Sequence, residues 1–122
     1  MRVMVIVKAT KDSEAGGKPP DELLAEMGAF NQALIDAGLF VDAGGVKESR
    51  KGARVAFSDK QRTVTKGPFP NVDELFAGYW IWKVKDLDEA IDWVKRCPNP
   101  MPGPSVIEIR EFYEMEDFDR PK

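Results

Sequence analysis

Apolar and polar positions alternate along the chain with two different periods, and the changes of period mark the elements. In Arg2 to Ala9, Val3, Val5 and Val7 alternate against Met4, Ile6 and Lys8. This predicts a strand that is apolar on both faces. Thr10 to Pro20 is polar, bears glycine and ends in Pro19-Pro20, a loop that stops the strand and presets a helix start. From Asp21 to Ala37, Leu23, Leu24, Met27, Phe30, Leu34 and Ile35 recur at helical spacing, and Gly38 supplies the C-terminal stop. Leu39 to Ala43 predicts a short strand, followed by Gly44-Gly45 and a charged surface loop from Lys47 to Gly52.

Ala53 to Phe57 and Arg62 to Lys66 flank Ser58-Asp59-Lys60-Gln61, the pattern of a hairpin with a short polar turn, and Gly67-Pro68-Phe69-Pro70 ends it. After an acidic, partly helical turn from Asn71 to Phe76, Gly78 to Val84 places Tyr79, Trp80, Ile81 and Trp82 in succession, a strand with bulky groups on both faces. Asp86 to Cys97 predicts a second helix with Leu87, Ala90, Ile91 and Val94 inward and Pro98 beyond its end. Pro98 to Pro104 is a loop, Ser105 to Phe112 the last strand, and Glu114 to Asp119 an acidic tail that either stays loose or packs through Phe118. The order is β-α-β, hairpin, β-α-β. Its simplest closure is an α+β, ferredoxin-like split β-α-β sheet with an inserted β-hairpin and both helices on one face. Two helices cover one face only, and leaving an aromatic side chain in water on the other forfeits roughly 2–3 kcal/mol. A second copy of the chain is the expected cover, giving a homodimer.

Composition narrows the chemistry. The 122 residues, 43% hydrophobic, fit a single domain spanning 1–122. The 18 basic and 21 acidic residues leave a net charge of -3 with no basic block, which argues against nucleic acid as partner. The apolar run Val3 to Val7 is too short to span a bilayer and lacks a cleavage-type site behind it, so no membrane role and a cytoplasmic location are expected. A single cysteine, Cys97, makes no internal disulfide or multi-cysteine zinc site, in keeping with a reducing compartment. There is no histidine at all. That removes Ser-His and Cys-His nucleophiles, a histidine base and histidine-held metals, so neither a metal nor a cofactor is expected.

Read through Thr63-Val64-Thr65-Lys66-Gly67-Pro68-Phe69, Ala77-Gly78-Tyr79-Trp80 and Asp86-Leu87-Asp88-Glu89-Ala90, the chain resembles the YCII-related proteins, specifically their DGPF branch. The likeness covers almost the whole chain, through MVIVKATKDSEAG, KGARVAFSD, AGYWIWKVKDLDEAIDWVKRCPNP and IEIREF in order. It implies a dimeric α/β barrel, in which two ferredoxin-like sheets pack face to face and leave a cleft near the interface. It also implies an association of such proteins with alternative sigma factors. Lys66 stands where the DGPF name expects an aspartate, so no role of that carboxylate carries over. The histidine-aspartate pair thought to serve some YCII-type proteins has no histidine here.

The candidate ligand-binding residues are Arg110, Glu108, Lys66, Phe69, Tyr79, Trp80, Trp82 and Asp42. Glu108 and Arg110 stand two apart and share a strand face, either as a structural ion pair or as groups that grip a ligand. Lys66 before the Gly-Pro turn is an exposed lysine or part of an anion site. Tyr79, Trp80 and Trp82 line a pocket or pack a core, and because Trp80 and Trp82 share one face while Tyr79 and Ile81 share the other, only one pair can meet the helices. Two function classes remain. One is a small-ligand-binding or regulatory dimer that takes a small, partly apolar anion in the interface cleft. The other is a cofactor-free enzyme in which Glu108, Asp42 or Tyr79 transfers protons.

Overall fold

A computed structural model describes residues 1–119. The described residues are α+β, with antiparallel sheets and four α-helices. The main sheet contains β1 (Arg2–Lys8), β2 (Phe40–Gly45), β5 (Phe76–Lys83) and β6 (Ile107–Glu111), in the order β2-β5-β1-β6. The inserted hairpin is a separate two-stranded sheet of β3 (Ala53–Ser58) and β4 (Gln61–Lys66). It turns at Asp59, whose φ of 52 is tolerated because a short polar side chain fits the left-handed region. Every residue of both its strands is exposed.

The helices are α1 (Lys11–Glu14), α2 (Asp21–Asp36), α3 (Leu87–Lys95) and α4 (Met115–Asp119). The short α1 lies inside the stretch expected to be loop. Thr10 accepts from the Ser13 amide while the Ser13 hydroxyl accepts from the Thr10 amide, a reciprocal cap that nucleates one turn without apolar periodicity. Asp86 caps α3 by accepting from the Glu89 amide at 2.9 Å. The tail is helical in α4, and Phe118 packs on Tyr113 with ring centroids 5.2 Å apart. Arg2 ties this segment to the sheet through Glu114 at 2.7 Å. That partner holds the Glu114 carboxyl below its usual range, chiefly through the hydrogen bond. No helix among the described residues is long and apolar enough to cross a membrane.

One sheet face makes the core. Val3, Val5 and Val7 of β1 and Trp80 and Trp82 of β5 pack against Phe30 and Leu34 of α2 and Ala90 of α3. Phe30 stands edge-on to Trp80 at 5.9 Å, and the two indoles are 5.7 Å apart. The Trp80 Nε1 donates to Asn31 at 2.8 Å, whereas the fully buried Trp82 Nε1 finds no acceptor among the described residues. The opposite face carries Met4, Ile6, Tyr79 and Ile81, half-buried among themselves and covered by neither α2 nor α3. Gly44 and Gly45, expected just beyond the second strand, belong to it and pair with Tyr79 and Gly78. The Tyr79 ring lies over Gly44, where a Cβ would sit 3.0 Å from it. Ring and neighbouring backbone thus supply the packing that glycine itself lacks in a strand.

Candidate functional site

The loop after β1, the end of β2, the start of β5 and the loop before β6 all leave the main sheet at one end. Between them lies an open cleft of about 860 Å³. Its apolar lining comes from Val7, Leu23, Val46, Phe76, Met101 and the prolines of both loops, and its charged lining includes Asp12, Lys18, Glu22, Glu26 and Lys47. The proline-rich wall is pinned by Asn99, which accepts from the Met101 amide at 3.0 Å and the Ser105 hydroxyl at 2.7 Å and donates to the Gly103 carbonyl at 2.9 Å. The Thr10 hydroxyl donates to the Met101 sulfur at 3.5 Å and holds the two walls together.

The rim is linked to the hairpin root. Glu14 accepts from the Ser49 amide at 2.9 Å and from the Ser49 hydroxyl, and that hydroxyl accepts from the Phe69 amide at 3.0 Å. The Gly67-Pro68 bond is cis, and a Cβ at Gly67 would fall 1.8 Å from the Ser49 carbonyl oxygen. Gly67-Pro68-Phe69 therefore closes the hairpin root against the Ser49 turn, which gives this motif a structural reason to exist. Glu48 pairs with Arg50 at 2.8 Å. Hydrogen bonding to its own backbone amide, then the nearby cations, hold the Glu48 carboxyl below its usual range.

The sequence candidates fall into three separate groups, and none of them lines this cleft. Trp80 and Trp82 are buried in the core beneath α2 and α3. Lys66 ends β4 as an exposed side chain, and the Phe69 ring is capped by the Arg54 guanidinium at 4.1 Å. Asp42, Tyr79, Glu108 and Arg110 share the open sheet face. There the Tyr79 hydroxyl donates to Asp42 at 3.3 Å and Arg110 meets Glu108 at 3.3 Å. Asp42 and Arg110 lie in one cross-strand row, Asp42–Ile81–Met4–Arg110, but at opposite edges. Three strand spacings separate them, about 14 Å, so they cannot meet within one chain.

The charge of Asp42 first, and partial desolvation next, raise the Tyr79 phenol above its ordinary value. Burial pushes the Cys97 thiol up to about 11, leaving little thiolate to act as a nucleophile. Among the described residues, no group of three or more Cys, Asp or Glu side chains is placed to hold a metal ion. Most of the cleft residues sit in segments whose only local signal is that of a connection, and others, such as Val7 and Leu23, carry only the period of a strand or a helix. A sequence signal existed in the topology: the predicted order sends four strand ends to one end of the sheet.

Comparison with known proteins adds a family and a distant relative. The profile of the YCII-related domain matches residues 1–116. The chain is similar to an uncharacterized protein of Rhizobium meliloti (strain 1021), 24% identical over 99 residues that make up 80% of each chain.

Proposed function

The chain belongs to the YCII-related family, and from that premise we propose that it is a homodimeric, non-catalytic module that binds a small molecule in the cleft at the end of its sheet. The observation that carries this reading is the cleft itself. Its volume of about 860 Å³ is within the range of small-molecule sites, and it combines an apolar wall with a few charged groups. Glu14 and Glu48 are already engaged by Ser49 and Arg50, which leaves Asp12, Glu22 and Glu26 facing Lys18 and Lys47. A lining of both signs suits a partly apolar ligand with a zwitterionic or neutral polar end. A plain carboxylate is better matched to Arg110, outside the cleft.

The strand order β2-β5-β1-β6 supports a ferredoxin-like reading of the sheet. Its uncovered face of Met4, Ile6, Tyr79 and Ile81 supports closure by a second copy into a dimeric α/β barrel. Asp42 disfavours the phenolate of Tyr79, which makes this side chain a poor general base.

A thermal-shift screen of amino acids, small amides and monocarboxylates tests the reading. A zwitterionic or neutral compound should raise the melting temperature of the wild type. Val46→Trp, which fills the cleft from an exposed position on its wall, should abolish that shift while keeping the melting temperature of the free protein. A stabiliser that acts equally on Val46→Trp, or no stabiliser in any class, counts against the cleft as a binding site.

A further inference from the structure

The inserted hairpin has two unlike faces. Cross-strand partners share a face, so Ala53 with Lys66, Val55 with Val64 and Phe57 with Arg62 make one, and Arg54 with Thr65, Ala56 with Thr63 and Ser58 with Gln61 the other. The first is apolar with a cation at each end, and it is left uncovered, with Phe57 72% and Val64 61% exposed. A two-stranded hairpin is marginal in water by itself, and an open apolar face of this kind marks a contact surface. Arg62 lies over the Phe57 ring at 4.3 Å and donates to the Asp59 and Gln61 carbonyls. Among the described residues, neither Arg62 nor Lys60 nor Lys66 comes within ion-pair distance of a carboxylate. Between Arg50 and Lys66 the acid Asp59 stands alone against Arg50, Lys51, Arg54, Lys60, Arg62 and Lys66, in a chain whose net charge is -3.

The C-terminal segment has the complementary chemistry. Tyr113, Met115 and Phe118 are exposed, Met115 to 78%, in a run that also holds Glu114, Glu116, Asp117 and Asp119. Glu114 is taken by Arg2 and Asp117 by the Glu114 amide, whereas Glu116 and Asp119 meet no cation among the described residues. Arg120 and Lys122 follow in the sequence and leave the segment from Glu114 onward still acidic. The two surfaces belong to opposite ends of β1. The hairpin root joins Glu14, beyond Lys8, through Ser49, and Glu114 joins Arg2, about 20 Å away along the strand. Both stay exposed within one chain. We propose that the hairpin face of Val55, Phe57, Val64, Arg62 and Lys66 clasps the C-terminal segment of a second copy, seating its apolar side chains and pairing the two cations with its free carboxylates. The inference rests on the dimeric reading above and gives the hairpin a role in it. Strands of six residues reach about 17–20 Å from the hairpin root, enough to cross to another chain. The acidic balance of the whole chain works against an anionic lipid or nucleic-acid surface as the occupant. A two-fold assembly makes the contact twice.

The test is a pair of charge-reversed chains, Arg62→Glu with Lys66→Glu in the hairpin and Glu116→Lys with Asp119→Lys in the tail, each shown to be folded by circular dichroism. Either chain alone sets like charges against one another in both contacts. Its dimer dissociation constant at low salt should rise on the order of tenfold or more by sedimentation equilibrium. Mixed in equal amounts, the two chains should prefer each other, because every clasp in the mixed dimer joins opposite charges. Native mass spectrometry should then show the mixed dimer well above its statistical share. A monomeric wild type removes the dimeric reading and this inference together. A dimeric wild type whose variants associate unchanged, or whose mixture stays at the statistical share, overturns the clasp alone. The clasp is also overturned if the wild type cosediments with phosphatidylglycerol vesicles and the hairpin variant loses this binding with self-association unchanged, which would assign the hairpin to a lipid surface.

Discussion

Replacing Trp82 by alanine is expected to destabilise the protein by about 3–5 kcal/mol, the range for emptying a large aromatic site in a packed core. Trp82 is completely buried between β1, α2 and the indole of Trp80. Its Nε1 has no acceptor among the described residues, so part of what the side chain contributes is already offset by a desolvated donor, at about 1–3 kcal/mol. Trp82→Phe should therefore cost far less than Trp82→Ala, because it removes that donor while retaining a ring. Urea unfolding at one fixed protomer concentration reads both values, since association would otherwise shift the midpoint. A Trp82→Ala cost below about 1 kcal/mol would mean that the two indoles do not organise this core.

Gly67→Ala should be the most damaging of the small substitutions. The added carbon would sit 1.8 Å from the Ser49 oxygen and 2.6 Å from its carbonyl carbon, both backbone atoms that no side-chain rotation can move away. Relieving the overlap separates the hairpin root from the Ser49 turn and breaks the bonds from the Gly67 amide to Gly52 at 2.9 Å and from the Phe69 amide to Ser49 at 3.0 Å. Overpacking of about 1–3 kcal/mol and about 1 kcal/mol for each lost hydrogen bond give an expected loss of about 3–5 kcal/mol, or local opening of the hairpin root. Amide exchange at position 67 and at Phe69 reports the local event, and urea unfolding the global one. Gly103→Ala, where an added carbon meets nothing within 4 Å, is the control and should stay within about 0.5 kcal/mol of wild type. An equally mild Gly67→Ala with both amides still protected would refute the packing of the Gly67-Pro68-Phe69 turn.

The order of strands and helices was legible because each long element carries its own period, as in the helical stripe through Phe30 and Leu34. Which aromatic pair would face the helices was not. Tyr79 with Ile81 and Trp80 with Trp82 are both bulky enough to fill a core, and alternation alone does not rank them. The structure buries the larger pair and leaves the smaller on the open face. Gly44 and Gly45 looked like the end of a strand because glycine has nothing to pack, and only the placement of Tyr79 across Gly44 shows what replaces its side chain. Glu108 and Arg110 were correctly read as sharing a face. That Asp42 shares it too, in the row of Arg110 but at the far edge, depends on strand order and register, which link residues far apart in sequence. The cleft was the least legible feature, since it is assembled from four chain segments of which none is distinctive alone.

The central claim is that the uncovered face of Met4, Ile6, Tyr79 and Ile81 is buried against a second copy. Sedimentation equilibrium of the wild-type chain at micromolar concentration measures this directly. The expected result is a single species of about twice the 13.7 kDa chain mass. A well-folded species of 13.7 kDa that stays monomeric across the concentration range would contradict it.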